Sequence, residues 1–397
     1  MALIKRPILI LTAFLVLASL GLGAFFQGST RRALEHAEAF QFRRMLVTRQ
    51  GEQGSYRFFY VTNRRMEAAD GAVDARFGNQ REARLHFGLF DTDIEARLGI
   101  GMLVNPSDWF QNEEIQLREV RALDRATFLE ELRGQIDQSP YRSLLVNVNG
   151  FRERFPSALR KTAFLAHVLD VDSPLLVFDW PGDQGSTPRG YGRAQRVARE
   201  SGEELARTLE LIVGELRPER LWLVANSMGG EVVVSAFTRL HQEAEWADAE
   251  MEFEDVVLTA PDVSHEEFGL QFRDEINDLT QDLTVYVSSN DRALLMSRVL
   301  NRERRLGEST ADPANPDQFD EAARAFELVE PDSERVTLVD VTPVNRTRNF
   351  HNFSLETPEF FDDLYLRLTN SETPRSRRRY RVRTSGGTEY WILTKGR

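Results

Sequence analysis

The chain has 397 residues, 41% hydrophobic and 28% charged, a globular composition that excludes an intrinsically disordered protein and can fill one large domain or two. A net charge of -12 argues against a nucleic-acid partner. The absence of cysteine excludes disulfides, thiolate catalysis and thiolate-bound zinc.

Lys5 and Arg6 precede an uninterrupted apolar run from Ile8 to Phe26. About 19 residues at roughly 1.5 Å each span about 28 Å, close to one hydrocarbon core. Residues 1–30 are therefore expected to be a single-pass transmembrane signal anchor. The alternative is a signal peptide that is cleaved to release a secreted protein. A short basic head stays in the cytoplasm, so the body is expected to face the periplasm or the exterior. Residues 31–55 read as a juxtamembrane linker.

The main domain is expected over residues 56–370. Tyr56–Thr62, Arg84–Phe90 and Ile115–Leu123 read as strands. Asp124 caps a helix running to Ile136, with Phe128, Leu129 and Leu132 on one face. From Ser143 onward the rhythm is strand, helix, strand, helix. Strands are predicted at Ser143–Asn149, Leu175–Asp179, Leu221–Ala225, Asp255–Ala260, Leu283–Ser288 and Val336–Val341. Helices are predicted at Ala158–Leu169, Ala194–Leu216, Gly230–Leu240 and Thr357–Leu368. Unbroken apolar strands alternating with helices imply a mostly parallel sheet covered on both faces. Gly307–Asp320 reads as a surface loop. Residues 371–397 read as a basic β-hairpin or tail. Its arginines could meet anionic headgroups, or could keep a solvated edge strand from pairing.

Within this pattern Ser227 stands at a sharp turn between an apolar strand and a helix. Ala225 and Gly229 flank it, and small flanks let the strand and helix backbones approach. The bland reading is a serine that caps the following helix. The sharper one is a nucleophile elbow, which lifts a serine hydroxyl above the top of an α/β-hydrolase sheet. Sites on open parallel sheets form at the carboxyl ends of the strands. Asp262, Asp291 and His351 all follow strand ends, giving the chain order Ser, Asp, His. A serine hydroxyl needs a base to take its proton, and a carboxylate to orient that base. His351, after the last strand and before the last helix, is the candidate base, with His265 its rival. Asp291 is the expected acid and Asp262 the alternative, although each could merely cap a helix or a turn. The backbone N–H groups of Phe151 and Met228 are the expected oxyanion hole. No metal-ligand cluster, phosphate loop or cofactor motif stands out.

Several pieces resemble a bacterial family of α/β-hydrolases of unknown function within the esterase and lipase superfamily. They are Tyr60-Val-Thr-Asn-Arg64, Asn149-Gly-Phe151, Phe178-Asp-Trp-Pro181, Ala225-Asn-Ser-Met-Gly229, Ala260-Pro-Asp262, Tyr286 to Leu294, Arg305-Leu-Gly307 and His351. The resemblance implies Ser227 as nucleophile, Asp291 as acid and His351 as base. The family usually has His where Asn149 and Asn226 stand. The expected activity is hydrolysis of an acyl ester or thioester, on a small-molecule or lipid substrate, through an acyl-enzyme. The alternative is a catalytically impaired envelope protein that keeps the fold for binding or assembly. The sequence does not specify an oligomeric state.

Overall fold

Apolar strands without alternation are stable only where both faces of their sheet are covered. The computed structural model describes residues 44–51, 55–68, 73–94, 115–243, 246, 253–264, 266, 268, 278–301, 305–307, 336–347, 351–369, 379–383 and 389–395. The strands are β1 (Arg49–Gln50), β2 (Ser55–Met66), β3 (Phe77–Ile94), β4 (Ile115–Leu123), β5 (Ser143–Val148) and β6 (Leu175–Asp179). They continue with β7 (Arg220–Asn226), β8 (Phe253–Thr259), β9 (Thr280–Val287), β10 (Val336–Asp340), β11 (Arg379–Arg383) and β12 (Glu389–Leu393). The helices are α1 (Val73–Arg76), α2 (Arg125–Gln138), α3 (Phe155–Leu169), α4 (Pro188–Leu211), α5 (Gly229–Gln242), α6 (Arg292–Asn301), α7 (Phe353–Glu356) and α8 (Pro358–Thr369).

One sheet runs in the order β11-β12-β10-β9-β8-β7-β5-β6-β2-β3-β4, with β1 paired beside β2. Every neighbour pair from β12 to β2 is parallel. The two ends close with antiparallel strands. Alternation along each central strand feeds two cores. Leu144, Val146 and Val148 of β5 pack under α2, α4 and α5. Leu145 of the same strand packs on the opposite face under α3 and α8. An α/β architecture, with a mostly parallel sheet flanked by helices, is therefore present as expected. The expected anchor at residues 1–30 lies outside the described residues, as do residues 31–43 of the linker and residues 308–320 of the expected loop. Among the described residues no helix is long and apolar enough to cross a membrane.

Two helices start earlier than hydropathy suggests. Helix α4 opens at Pro188, behind a Thr187 cap whose hydroxyl accepts from Gly190 N. Proline at the first helical position loses no intrahelical hydrogen bond, so Thr187-Pro188 is a start signal rather than a break. Helix α3 likewise carries its proline in the first turn. Where the sequence suggested a single helix to Leu216, α4 gives way to a π-turn over Ile212–Leu216.

The basic tail is sewn into the sheet. β12 pairs in parallel with β10, and β11 forms the edge. Arg379 is buried, with its guanidinium forked onto Asp363 at 2.7 Å on both oxygens. The Tyr286 hydroxyl donates to the same carboxylate at 2.6 Å. This arginine therefore faces the α8 side of the core and not a solvent or headgroup layer.

Candidate active site

The turn after β7 is where the sequence predicts a nucleophile. Ser227 has φ +53°, left-handed for a residue with a Cβ. Such strain persists only where the surroundings over-determine it. Three backbone bonds hold it here: Ser227 N to Thr259 O at 2.9 Å, Gly230 N to Ser227 O at 3.0 Å, and Asp262 N to Ser227 O at 3.1 Å. Gly229 is needed sterically, since a Cβ there would lie 2.6 Å from Val148 O. Ala225 is fully buried in the core under α5, so its methyl is accommodated.

The structure brings Ser227, His351 and Asp291 together. His351 Nε2 lies 2.9 Å from Ser227 Oγ, and its Nδ1 lies 2.7 Å from Asp291 Oδ2. An ionised carboxylate only accepts, so Nδ1 carries the hydrogen and Nε2 presents its lone pair to the serine hydroxyl. Asp291 divides its oxygens between two tasks. Oδ1 accepts from Ala293 N and Leu294 N at 2.9 and 3.0 Å, capping α6, while Oδ2 holds the imidazole. Capping and base orientation thus coexist in one residue. Burial alone would lower the affinity of His351 for a proton. The adjacent Asp291 charge and hydrogen bond, with a contribution from Asp262, outweigh it and raise the imidazole above its ordinary value.

Asp262, the alternative acid, is fully engaged elsewhere. Its Oδ1 accepts from Arg305 Nε and Ser297 Oγ, both at 2.6 Å, and its Oδ2 accepts from the Tyr191 hydroxyl at 2.7 Å. Arg305 Nη2 adds a bond to the Asp262 carbonyl at 2.5 Å. The segment Arg305–Gly307 then straps two strand ends together. Leu306 N and Gly307 N donate to Val263 O and Pro261 O, and Ser288 N donates to Gly307 O. A Cβ on Gly307 would sit 2.6 Å from the Ala260 carbonyl carbon, so the strap lies flat only with glycine. The Tyr191 phenol stays protonated, because burial and then the Asp262 charge push its pKa far up.

On the other side of the elbow, the turn after β5 carries Phe151. Gly150 allows the approach, since a Cβ there would lie 3.0 Å from both Asn226 O and Ser227 Cβ. Arg152 N donates to Gly182 O at 3.0 Å and the Trp180 indole donates to Asn149 O at 2.7 Å, tying this turn to the one after β6. Arg64 locks both turns. It is buried and donates to Asp179 (2.7 Å), Asp183 (2.7 Å), Glu153 O (2.6 Å) and Trp180 O (2.8 Å). The Phe151 ring meets the Tyr191 ring edge-on at 5.6 Å. Among the described residues, the amides of Phe151 and Met228 donate to no backbone acceptor.

The two asparagines stand back from the hydrogen-bonded line. Asn226 Nδ2 donates to Thr259 Oγ1 and Ser354 Oγ, each at 2.9 Å. Asn149 Nδ2 donates to Ala158 O at 3.3 Å. The remaining described histidines sit away from the serine: His86 against Glu82, His241 against Asp278, and His167 buried near the end of α3. The rival base His265 lies outside the described residues. Arg64, Tyr191, Ser297 and Arg305 were not recognised from sequence as parts of the site. The only signal was that Arg64 and Arg305 fall in motif pieces, and motif pieces do not show their partners Asp179 and Asp262, 115 and 43 residues away.

A parallel sheet with a strained serine at its carboxyl edge, between a strand and a helix, defines an α/β-hydrolase fold. Residues 124–364 match the family model described as alpha/beta hydrolase of unknown function (DUF900), and the chain belongs to that family. No curated protein matches it. Among solved structures it is similar to a thermophilic esterase from Thermogutta terrifontis with propionate bound, at 14% identity and TM-score 0.32, covering 57% of this chain and 84% of that one. It is also similar to a lipase-esterase related protein from Clostridium acetobutylicum, at 12% identity and TM-score 0.29, covering 56% and 93%. Likeness at that level says nothing about substrate.

Proposed function

We propose that this chain is a serine hydrolase that cleaves an ester or thioester through an acyl-enzyme, with Ser227 as nucleophile, His351 as base and Asp291 as orienting acid. The observation that carries the reading is the continuous line Ser227 Oγ, His351, Asp291, with links of 2.9 and 2.7 Å. In the first half-reaction Ser227 Oγ attacks the carbonyl carbon while its proton passes to His351 Nε2. The amides of Phe151 and Met228 stabilise the oxygen that becomes negative. The bond to the leaving alcohol or thiol then breaks, and His351 returns the proton to it. In the second half, water attacks the acyl carbon while its proton passes to His351 Nε2; the bond to Ser227 Oγ then breaks, His351 returns the proton to the serine, and the acid is released. A fold kept only for binding has no need of this alignment. The reading also places the body beside a membrane, held by the apolar run Ile8–Phe26, on the periplasmic or outer side.

A fluorophosphonate probe on the full-length purified chain tests the chemistry. Wild type should be labelled, and Ser227→Ala should lose both labelling and ester hydrolysis by about 10³-fold or more. Labelling that survives in Ser227→Ala, or none in wild type, would refute it.

A further inference from the structure

Two sets of hydrogen bonds tie the loop of the acid to the segment that leads to the base. β9 and β10 are parallel neighbours, with Val287 opposite Asp340. Their carboxyl ends therefore release two loops side by side. Residues 288–291 end in Asp291, and residues 341–347 run toward His351.

Asn345, which is buried, makes the first link. Its Nδ2 donates to Ser288 Oγ at 2.8 Å and to Asn290 Oδ1 at 3.3 Å, and its Oδ1 accepts from Thr347 Oγ1 at 2.9 Å. Ser288 Oγ donates to Asn290 Oδ1 at 2.5 Å and closes the triangle. One side chain thus grips the acid loop with its amide nitrogen and the base segment with its amide oxygen. Thr342 makes the second link. Its hydroxyl and its N–H both donate to Asp340 Oδ1, at 2.5 and 2.9 Å. With its hydrogen spent there, Thr342 Oγ1 accepts from Ser289 N at 2.9 Å.

Both links bear on one separation, the 2.7 Å from Asp291 Oδ2 to His351 Nδ1. The other Asp291 oxygen is bonded to the first turn of α6, so the carboxylate follows its own backbone and not the imidazole. Where the loop sits then decides that separation, and a displacement of about 1 Å can cost about 10²-fold in rate.

We propose that Asn345 and Thr342 are positioning residues for the acid–base pair, holding the Asp291 loop against the segment that leads to His351. The inference rests on Ser227, His351 and Asp291 being the catalytic line. Burial lowers the proton affinity of His351; the Asp291 charge and hydrogen bond raise it, Asp262 raises it further, and Lys161 lowers it. Asp262 is held by Arg305, Ser297 and Tyr191, and Lys161 by Glu153, apart from both links. A loosened acid loop therefore weakens the Asp291 contribution, and the acid limb of kcat/KM shifts to lower pH. A loss of stability by itself does not move that limb.

The test is the pH profile of kcat/KM on a soluble p-nitrophenyl ester for the full-length chain, run with melting curves and fluorophosphonate labelling. Thr342→Val removes the acceptor for Ser289 N and should lower kcat about tenfold or more, with the acid limb down by about half a pH unit. Thr342→Ser restores the hydroxyl and should recover most of the rate and the wild-type limb. Asn345→Ala should act in the same direction as Thr342→Val, and it decides the matter if Thr342→Val melts too early to assay. Folded variants that keep the wild-type limb overturn the positioning role, whatever their melting temperatures. So does a Thr342→Ser variant as impaired as Thr342→Val. In either case a labelled wild type leaves the catalytic line standing. An unlabelled and inactive wild type removes the line and its positioning together.

Discussion

Asp262 and Asp291 follow neighbouring parallel strands, and both are almost fully buried, yet their surroundings assign them different work. Asp291 spends one oxygen on the first turn of α6 and keeps the other for His351. Asp262 spends both oxygens and its carbonyl on Arg305, Ser297 and Tyr191. The difference shows that position at a strand end does not make a carboxylate a catalytic partner. A free oxygen aimed at the imidazole does. Asp262 is better described as a hub that fixes the elbow, through its own amide on Ser227 O, and fixes Phe151, through the Tyr191 ring.

Substitution to the amide should separate the two roles most widely. Asp291→Asn keeps the shape but favours the wrong imidazole tautomer, and kcat should fall by about 10³ to 10⁴. Asp262→Asn leaves the line intact, and kcat should fall by about tenfold or less in folded protein. Steady-state kinetics on purified variants decides this, and equal losses would dissolve the distinction.

Stability should show the reverse order. Removing Arg305 leaves Asp262 a buried, uncompensated charge, so Arg305→Met should cost about 3–5 kcal/mol in urea unfolding. The double variant Asp262→Asn, Arg305→Met should cost less than the sum of the singles, since neither partner is left charged alone. The line to Asp291 should show no such coupling with Arg305.

The pH profile sharpens the comparison further. Activity needs neutral His351, and its proton is held more tightly than in free imidazole. The acid limb of kcat/KM should therefore lie above the ordinary imidazole value of about 6.5. Asp291→Asn removes the larger raising influence and should move that limb to lower pH, while Asp262→Asn should move it less. The stability sign is opposite. A raised histidine contributes stability that is full below about 6.5 and is lost as pH rises through the folded value.

Much of this was legible in the sequence because it is local. The strands β4 and β6 fall where their apolar patterns put them, and Asp124 caps α2 with bonds to Ala126 N and Thr127 N. Ser227, Asp291 and His351 could be picked out because chain order and strand ends are sequence properties. What escaped was long-range. Nothing near Arg64 announces Asp179 and Asp183, and nothing near Arg305 announces Asp262. The tail was read as a separate basic hairpin because its arginine run signals solvent. The partner that buries Arg379 is Asp363, on a helix that reads as amphipathic and unremarkable. Buried ion pairs are written in two places, and neither half is informative alone.

The smallest expected effect concerns Asn226, where a histidine would be usual in the resembled family. Its amide ties the elbow strand to Thr259 Oγ1 and to Ser354 Oγ, three residues past His351. It touches neither end of the Ser227–His351 bond. Asn226→Ala removes two neutral hydrogen bonds, and the hydroxyls can turn to other acceptors, so the loss should be about 1 kcal/mol. If all of that were felt in the placement of His351, kcat would fall by about fivefold. A melting curve and kcat on the same variant measure both parts. A loss of several hundredfold at unchanged melting temperature would mean that Asn226 works at the reacting atoms, and would move it from the frame of the site into its chemistry.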